Sequence, residues 1–78
     1  MGKYDPLRDW LRTKTGRVTL SFEEVADLVG GLPSSAYHRP EWWENNDYRH
    51  VQAVAWLSAG MEVAGLDLPR RVVSFVPR

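Results

Sequence analysis

The stretch SFEEVADLVGG, residues 21–31, carries the clearest structural instruction in the chain. Ser21 and Glu24 have the S-x-x-E spacing of a capping box, in which each side chain accepts a backbone N–H that the first helical turn leaves unpartnered. Phe22, Val25, Leu28 and Val29 fall on one face, and Gly30 supplies a left-handed stop. Glu23, Glu24 and Asp27 read as a solvated acidic face near the positive end of the helix dipole. A capped amphipathic helix is expected here, and the neighbouring segments are read outward from it.

Upstream, DPLRDWLRTK (5–14) predicts a helix with Asp5 as N-cap and Pro6 at the first helical position, where the missing N–H costs nothing. Leu7, Trp10 and Leu11 share its apolar face, and Gly16 ends it. RVTL (17–20) is short, β-branched and alternating, which predicts a strand. Downstream, residues 31–47 lack a period, although SSAYHR between Pro33 and Pro40 has room for one helical turn capped by Ser34 or Ser35. DYRHVQAVAWLSAG (47–60) returns to helical spacing, with Asp47 as cap, Val51, Val54, Ala55 and Ser58 as the inward stripe, and Gly60 as the stop. Arg49, Gln52 and Ala53 lie outside that stripe and Trp56 at its edge. The C-terminal MEVAGLDLPRRVVSFVP predicts strands near 61–66 and 71–76 around a turn at 67–70, with Val73 and Phe75 opposed in direction to Val72, Ser74 and Val76.

The expected fold class is therefore α+β: one domain over residues 1–78, with three helices and a small antiparallel sheet that includes the C-terminal hairpin. Its expected core is Leu7, Trp10, Leu11, Val18, Leu20, Phe22, Val25, Leu28, Val29, Val51, Val54, Ala55, Val63 and Phe75. A chain of 78 residues buries only about 60% of its unfolded surface, so each core residue weighs heavily.

Composition narrows the function classes. No cysteine is present, which excludes thiolate catalysis, disulfides and cysteine-based zinc sites and favours the cytoplasm. Asp5, Arg8 and Asp9 interrupt any signal-peptide-like run, and no stretch approaches the roughly 20 apolar residues that span a bilayer. A soluble chain without membrane contact is expected. Ten basic and ten acidic residues cancel, which disfavours binding polyanions by bulk charge. Local asymmetry remains: Arg8, Arg12, Lys14 and Arg17 near the start, and Arg70, Arg71 and Arg78 near the end.

The order helix, strand, helix, loop, helix, strand, strand resembles that of winged helix-turn-helix domains. The resemblance implies that the second and third helices form the helix-turn-helix, that the third enters the DNA major groove, and that the hairpin is the wing. Helix 48–59 would then read DNA, and Arg70 and Arg71, at the wing tip, would contact phosphates. That family joins its second and third helices by a tight turn, whereas this chain places residues 31–47 there. Either the 34–38 turn is the third helix, or the domain is another α+β arrangement with the same order. A second pattern runs through YDPL (4–7), SFEEV (21–25), LPSSA (32–36), Trp42, Trp43, Asn45, His50, Gln52, Ala53, Ala55, Trp56, Ala59 and Gly60. It looks like a small uncharacterised domain family of bacteria and their phages, which implies a source and no mechanism.

Catalysis finds no support in spacing. His38 and His50 stand apart, no nucleophile motif surrounds Ser34 or Ser35, and no metal-ligand spacing occurs. VGGLPSS lacks the lysine of a P-loop. No enzyme activity, cofactor or metal is expected. The segment RPEWWENNDYRHVQ (39–52) is the candidate binding face instead. On an extended backbone Trp42 and Trp43 point to opposite sides, so one would pack inward and the other either close the loop over the core or stack on a ligand. Beside them, Asn45, Arg49, His50 and Gln52 complete the candidate ligand-binding set, since Asn and Gln suit adenine and Arg suits guanine. The expected function is DNA binding through helix 48–59 and the 39–47 loop. The alternative is a protein-binding module, such as a phage or host factor that docks on a larger partner through its tryptophans. Either role leaves room for a homodimer.

Overall fold

The computed structural model describes residues 2–46 and 48–78. In chain order the elements are α1 (Asp5–Leu11), β1 (Val18–Ser21), α2 (Phe22–Val29), α3 (Ser34–His38), a 3-10 turn (Pro40–Trp43), α4 (Val51–Ser58), β2 (Met61–Asp67) and β3 (Val72–Pro77). The three strands form one antiparallel sheet in the order β1-β3-β2. Val18 pairs with Phe75 on one side of β3, and Val63 pairs with Phe75 on the other. A register irregularity between Val63 and Gly65 bends β2. The α+β class and the C-terminal hairpin are as the sequence predicts.

The helix at 22–29 also forms as read. Ser21 Oγ accepts from Glu24 N (3.0 Å) and Glu24 Oε1 accepts from Ser21 N (2.9 Å), closing the capping box. Gly30 takes the left-handed conformation (φ 79°), and both it and Gly31 donate their N–H to Ala26 O. Ser21 is the last residue of β1 as well as this cap, which moves the strand one residue beyond the expected 17–20.

The first helix is shorter than expected and begins differently. Its cap is Tyr4, without a side-chain bond, and Asp5 Oδ2 instead accepts from Gly2 N (2.9 Å). Trp10 is only half-buried, its outer face covered by the Lys14 ammonium 4.4 Å from the ring centroid. At 34–38 the expected single turn is a real helix, joined to α2 by residues 30–33 alone. Its cap is Pro33, and neither Ser34 nor Ser35 serves. A short helix is thus present at 34–38, and the 3-10 turn and α4 follow it before the hairpin.

The largest correction concerns α4. Val51 and Val54, expected inside, are 73% and 46% exposed, while Gln52, Ala53 and Trp56 are buried; Ala55 is buried as expected. The expected cap, Asp47, lies outside the described residues, and His50 occupies the cap position. Burying two valines contributes about 1.5–3 kcal/mol each, comparable with burying one indole of about 150–250 Å². Apolar area alone therefore does not choose the rotation. The hydrogen bond from Gln52 Nε2 to Trp42 O (2.7 Å) does, because a buried carbonyl left unpaired costs about 1–3 kcal/mol more. Trp56 turned inward also stacks on Trp43, with ring centroids 6.0 Å apart.

The core joins Leu7 and Leu11 of α1, Phe22, Val25 and Val29 of α2, Ala36, Trp42, Trp43, Ala53, Trp56, Met61, Val73 and Phe75. Val18, Leu28 and Val63 pack at its margin.

Candidate functional site

Trp42 and Trp43 are both buried, 9% and 2% exposed. The expectation that they face opposite ways assumed extended backbone. Pro40 instead starts a 3-10 turn through Trp43, and about 3 residues per turn lets neighbouring side chains turn to the same side. Trp43 lies between Phe22 (4.8 Å, interplanar 23°) and Trp56 (6.0 Å, 17°), and Trp42 meets it edge-on at 4.7 Å. The Trp43 indole N–H donates to Ala36 O at 2.8 Å, which ties the turn to α3. Offset or edge-to-face pairs of this kind add about 0.5–1.5 kcal/mol each beyond the area they bury.

The amides of this segment complete the same structure. Gln52 holds Trp42 O, as above. Asn45 Oδ1 accepts from both Trp56 Nε1 (2.9 Å) and Val63 N (2.8 Å), and its Nδ2 donates to Val63 O (3.0 Å). Four residues of the expected ligand-binding set, Trp42, Trp43, Asn45 and Gln52, thus have their rings or hydrogen-bonding atoms committed to their own fold. The reading of them as an open stacking and base-reading face is corrected: the indoles and the Gln52 amide are inside. Arg49 remains exposed and His50 half-buried, at the start of α4.

Two surface features stand apart from this core. At the hairpin tip, Arg71 adopts φ 58°, its N–H donates to Leu68 O (3.1 Å), and its carbonyl accepts from Phe22 N (2.8 Å). Its guanidinium lies over the Tyr37 ring, 5.1 Å from the centroid. Tyr37 in turn packs edge-on against Phe22 at 5.6 Å. Arg70 and Arg71 line an open concavity of about 370 Å³ together with Ser21, Phe22, Glu23, Ala26 and Tyr37. Arg70 also makes a loose, solvent-exposed pair with Asp67 at 3.8 Å, of little energetic weight. The sequence placed both arginines at the tip; their meeting with α3 joins positions far apart in the chain and had no local signal.

The second feature is a groove of about 330 Å³ between α1 and α4, bordered by Tyr4, Asp5, Arg8, Val51, Val54 and Ser58. Tyr48, 98% exposed, precedes α4. Burial holds the Tyr4 hydroxyl above the usual tyrosine range. Arg8 pairs with Asp5 at 3.3 Å and with Asp9 at 2.9 Å. The visible sequence signal for this groove is the Val51–Val54–Ala55–Ser58 stripe, expected to face inward: Ala55 does, whereas Val51, Val54 and Ser58 are exposed.

Among the described residues no three His, Asp or Glu side chains group so as to hold a metal, and no helix is long and apolar enough to cross a membrane. The molecule is a small α+β domain in which three tryptophans and two amides knit the segment after α3 onto an antiparallel sheet. The chain belongs to the family described as Domain of unknown function (DUF7662), whose model matches residues 4–77. No curated protein and no solved structure matches it.

Proposed function

We propose that the domain is a non-catalytic binding module that contacts nucleic acid through the corner where α3 meets the hairpin tip. The contact face moves there from the 39–52 stretch, whose Trp42, Trp43 and Gln52 are buried and whose Asn45 amide is hydrogen-bonded within the fold. The observation that carries the reading is the Arg71 guanidinium seated on Tyr37, beside the exposed Arg70. The seat fixes one cation where the tip and the third helix come together. The winged-helix resemblance gives that same pair of elements, third helix and wing, the role of gripping DNA. The short 30–33 connection between α2 and α3 supports the parallel.

The test is fluorescence anisotropy with labelled duplex and single-stranded DNA over a salt series. Binding that weakens steeply with salt is expected. Arg70→Ala with Arg71→Asn should shrink the slope by about 0.9 for each duplex phosphate that the variant no longer neutralises. Asparagine is chosen at 71 because it tolerates positive φ. Absence of binding at low salt, or a slope unchanged in the double variant, overturns the reading.

A second reading, a protein-docking module such as a phage or host factor, is favoured by one observation: Tyr48, Val51 and Val54 are exposed together in a chain of zero formal charge.

A further inference from the structure

We infer that the concavity between α2, α3 and the hairpin tip seats one unpaired guanine of a single strand. The inference rests on the nucleic-acid reading of this corner and names the group that the corner holds.

The first ground is a flat platform held in place. Phe22, buried in the core, braces the Tyr37 ring edge-on at 5.6 Å, and the Arg71 guanidinium lies over that ring at 5.1 Å. The Arg71 backbone is fastened on both sides, its N–H donating to Leu68 O and its carbonyl accepting from Phe22 N. Unpaired bases stack on tyrosine rings and on guanidinium planes, and both kinds of surface line this space. Its volume, about 370 Å³, lies near the lower end of the about 300–1,000 Å³ of small-ligand pockets. That is room for one planar group and not for a length of duplex.

The second ground is Glu23, which selects the base. Its exposed side chain lines the same concavity as the two arginines. Among the described residues it is nevertheless ion-paired with neither. A site for phosphate alone gains nothing from a carboxylate, because like charges set side by side repel. An ionised carboxylate only accepts, through two oxygens, so its match is a pair of donors. The Watson–Crick edge of guanine supplies that pair, N1–H and the N2 amine side by side. Adenine and cytosine put an acceptor nitrogen beside their amine, and thymine flanks its N–H with two carbonyls. Each of these turns a lone pair toward the carboxylate. In a duplex the same guanine edge is taken up by cytosine, so the base has to be unpaired. Arg70, its side chain 85% exposed and only loosely paired with Asp67, is left for the phosphate beside the base.

The experiment is fluorescence anisotropy at low salt with labelled oligothymidylate carrying one central guanine, hypoxanthine, adenine or cytosine. Hypoxanthine is guanine without its N2 amine. The guanine strand is expected to bind at least about five-fold tighter than each of the others. Annealing the strands to their complements should abolish that preference. Glu23→Gln should bring the guanine-to-hypoxanthine ratio close to one. Affinity for the thymidylate strand itself should hold or rise in this variant, because a negative charge near the phosphates is gone. Glu23 is exposed and takes no part in the capping box, so the variant keeps its fold.

Salt-dependent binding that is indifferent to the base overturns the guanine seat and leaves the nucleic-acid contact standing. No binding to any strand overturns both. A guanine preference that survives Glu23→Gln, or that persists in the duplex, also overturns the assignment. Guanosine monophosphate that binds as tightly as the guanine strand would keep the guanine seat and overturn the single strand as its source.

Discussion

Helices α2 and α4 are both eight residues long, and their sequences speak with unequal clarity. In α2 apolar and acidic residues divide cleanly, so only one rotation buries Phe22, Val25 and Val29 without burying a carboxylate. In α4 valine, alanine and tryptophan surround the axis, and several rotations bury similar apolar area. The choice passes to groups far away in the chain: the carbonyl of Trp42 awaiting Gln52, and the ring of Trp43 awaiting Trp56. An amphipathic helix carries its orientation in its own residues. An apolar one receives it from its neighbours.

The most severe way to break that comparison is Trp43→Ala. It removes the ring between Phe22 and Trp56 and frees Ala36 O, with an expected cost of about 3–5 kcal/mol. A domain of 78 residues holds about 4–12 kcal/mol in total, so urea denaturation should show a largely unfolded or barely folded variant. A loss under about 1 kcal/mol would mean that α4 is oriented by something else. Next is Asn45→Ala, which strips partners from Trp56 Nε1 and from both polar groups of Val63. About 1–3 kcal/mol is expected, with Asn45→Asp falling between it and the parent because the carboxylate still accepts two of the three bonds. Equal losses in the two variants would count against the bonding described.

Smaller effects sharpen the contrast from the α2 side. Ser21→Ala should cost about 1 kcal/mol, or about 4–8 °C in Tm for a domain of this size, because the capping box acts locally. Smallest is Val51→Ser, expected to stay within about 0.5 kcal/mol in thermal melts. A loss above about 1.5 kcal/mol would place Val51 inside and restore the rotation read from the sequence.

What could be read in advance follows the range of the interactions. The capping box, the Gly30 stop and the hairpin involve residues within a few positions of one another, and each formed as expected. The helical turn at 34–38 was legible from its flanking prolines. The tryptophan pair was not, because its direction depends on a 3-10 turn that no apolar period announces. Asn45 looked like a binding residue for the same reason: its partners, Trp56 and Val63, lie 11 and 18 positions away. Arg70 and Arg71 could be placed at the hairpin tip from local signals, whereas the seat on Tyr37 required the whole sheet to assemble first. The segment most suggestive of a ligand site was suggestive because tryptophans, asparagine and glutamine are what a binding face uses. They are also what a small domain uses to close a long loop.

The Asn45 amide also bears on where the sheet ends. With β3 in the middle, the outward side of β2 offers backbone N–H and C=O groups that a strand from another molecule could pair with. At Val63 that invitation is already answered, since one side-chain amide meets both the N–H and the C=O as the peptide of a fourth strand would. The neighbouring irregularity at Val63/Gly65 twists what remains out of line. A single residue thereby does the work of an edge guard, and Asn45→Ala should promote strand-to-strand aggregation on prolonged incubation, beyond what its loss of stability alone would cause.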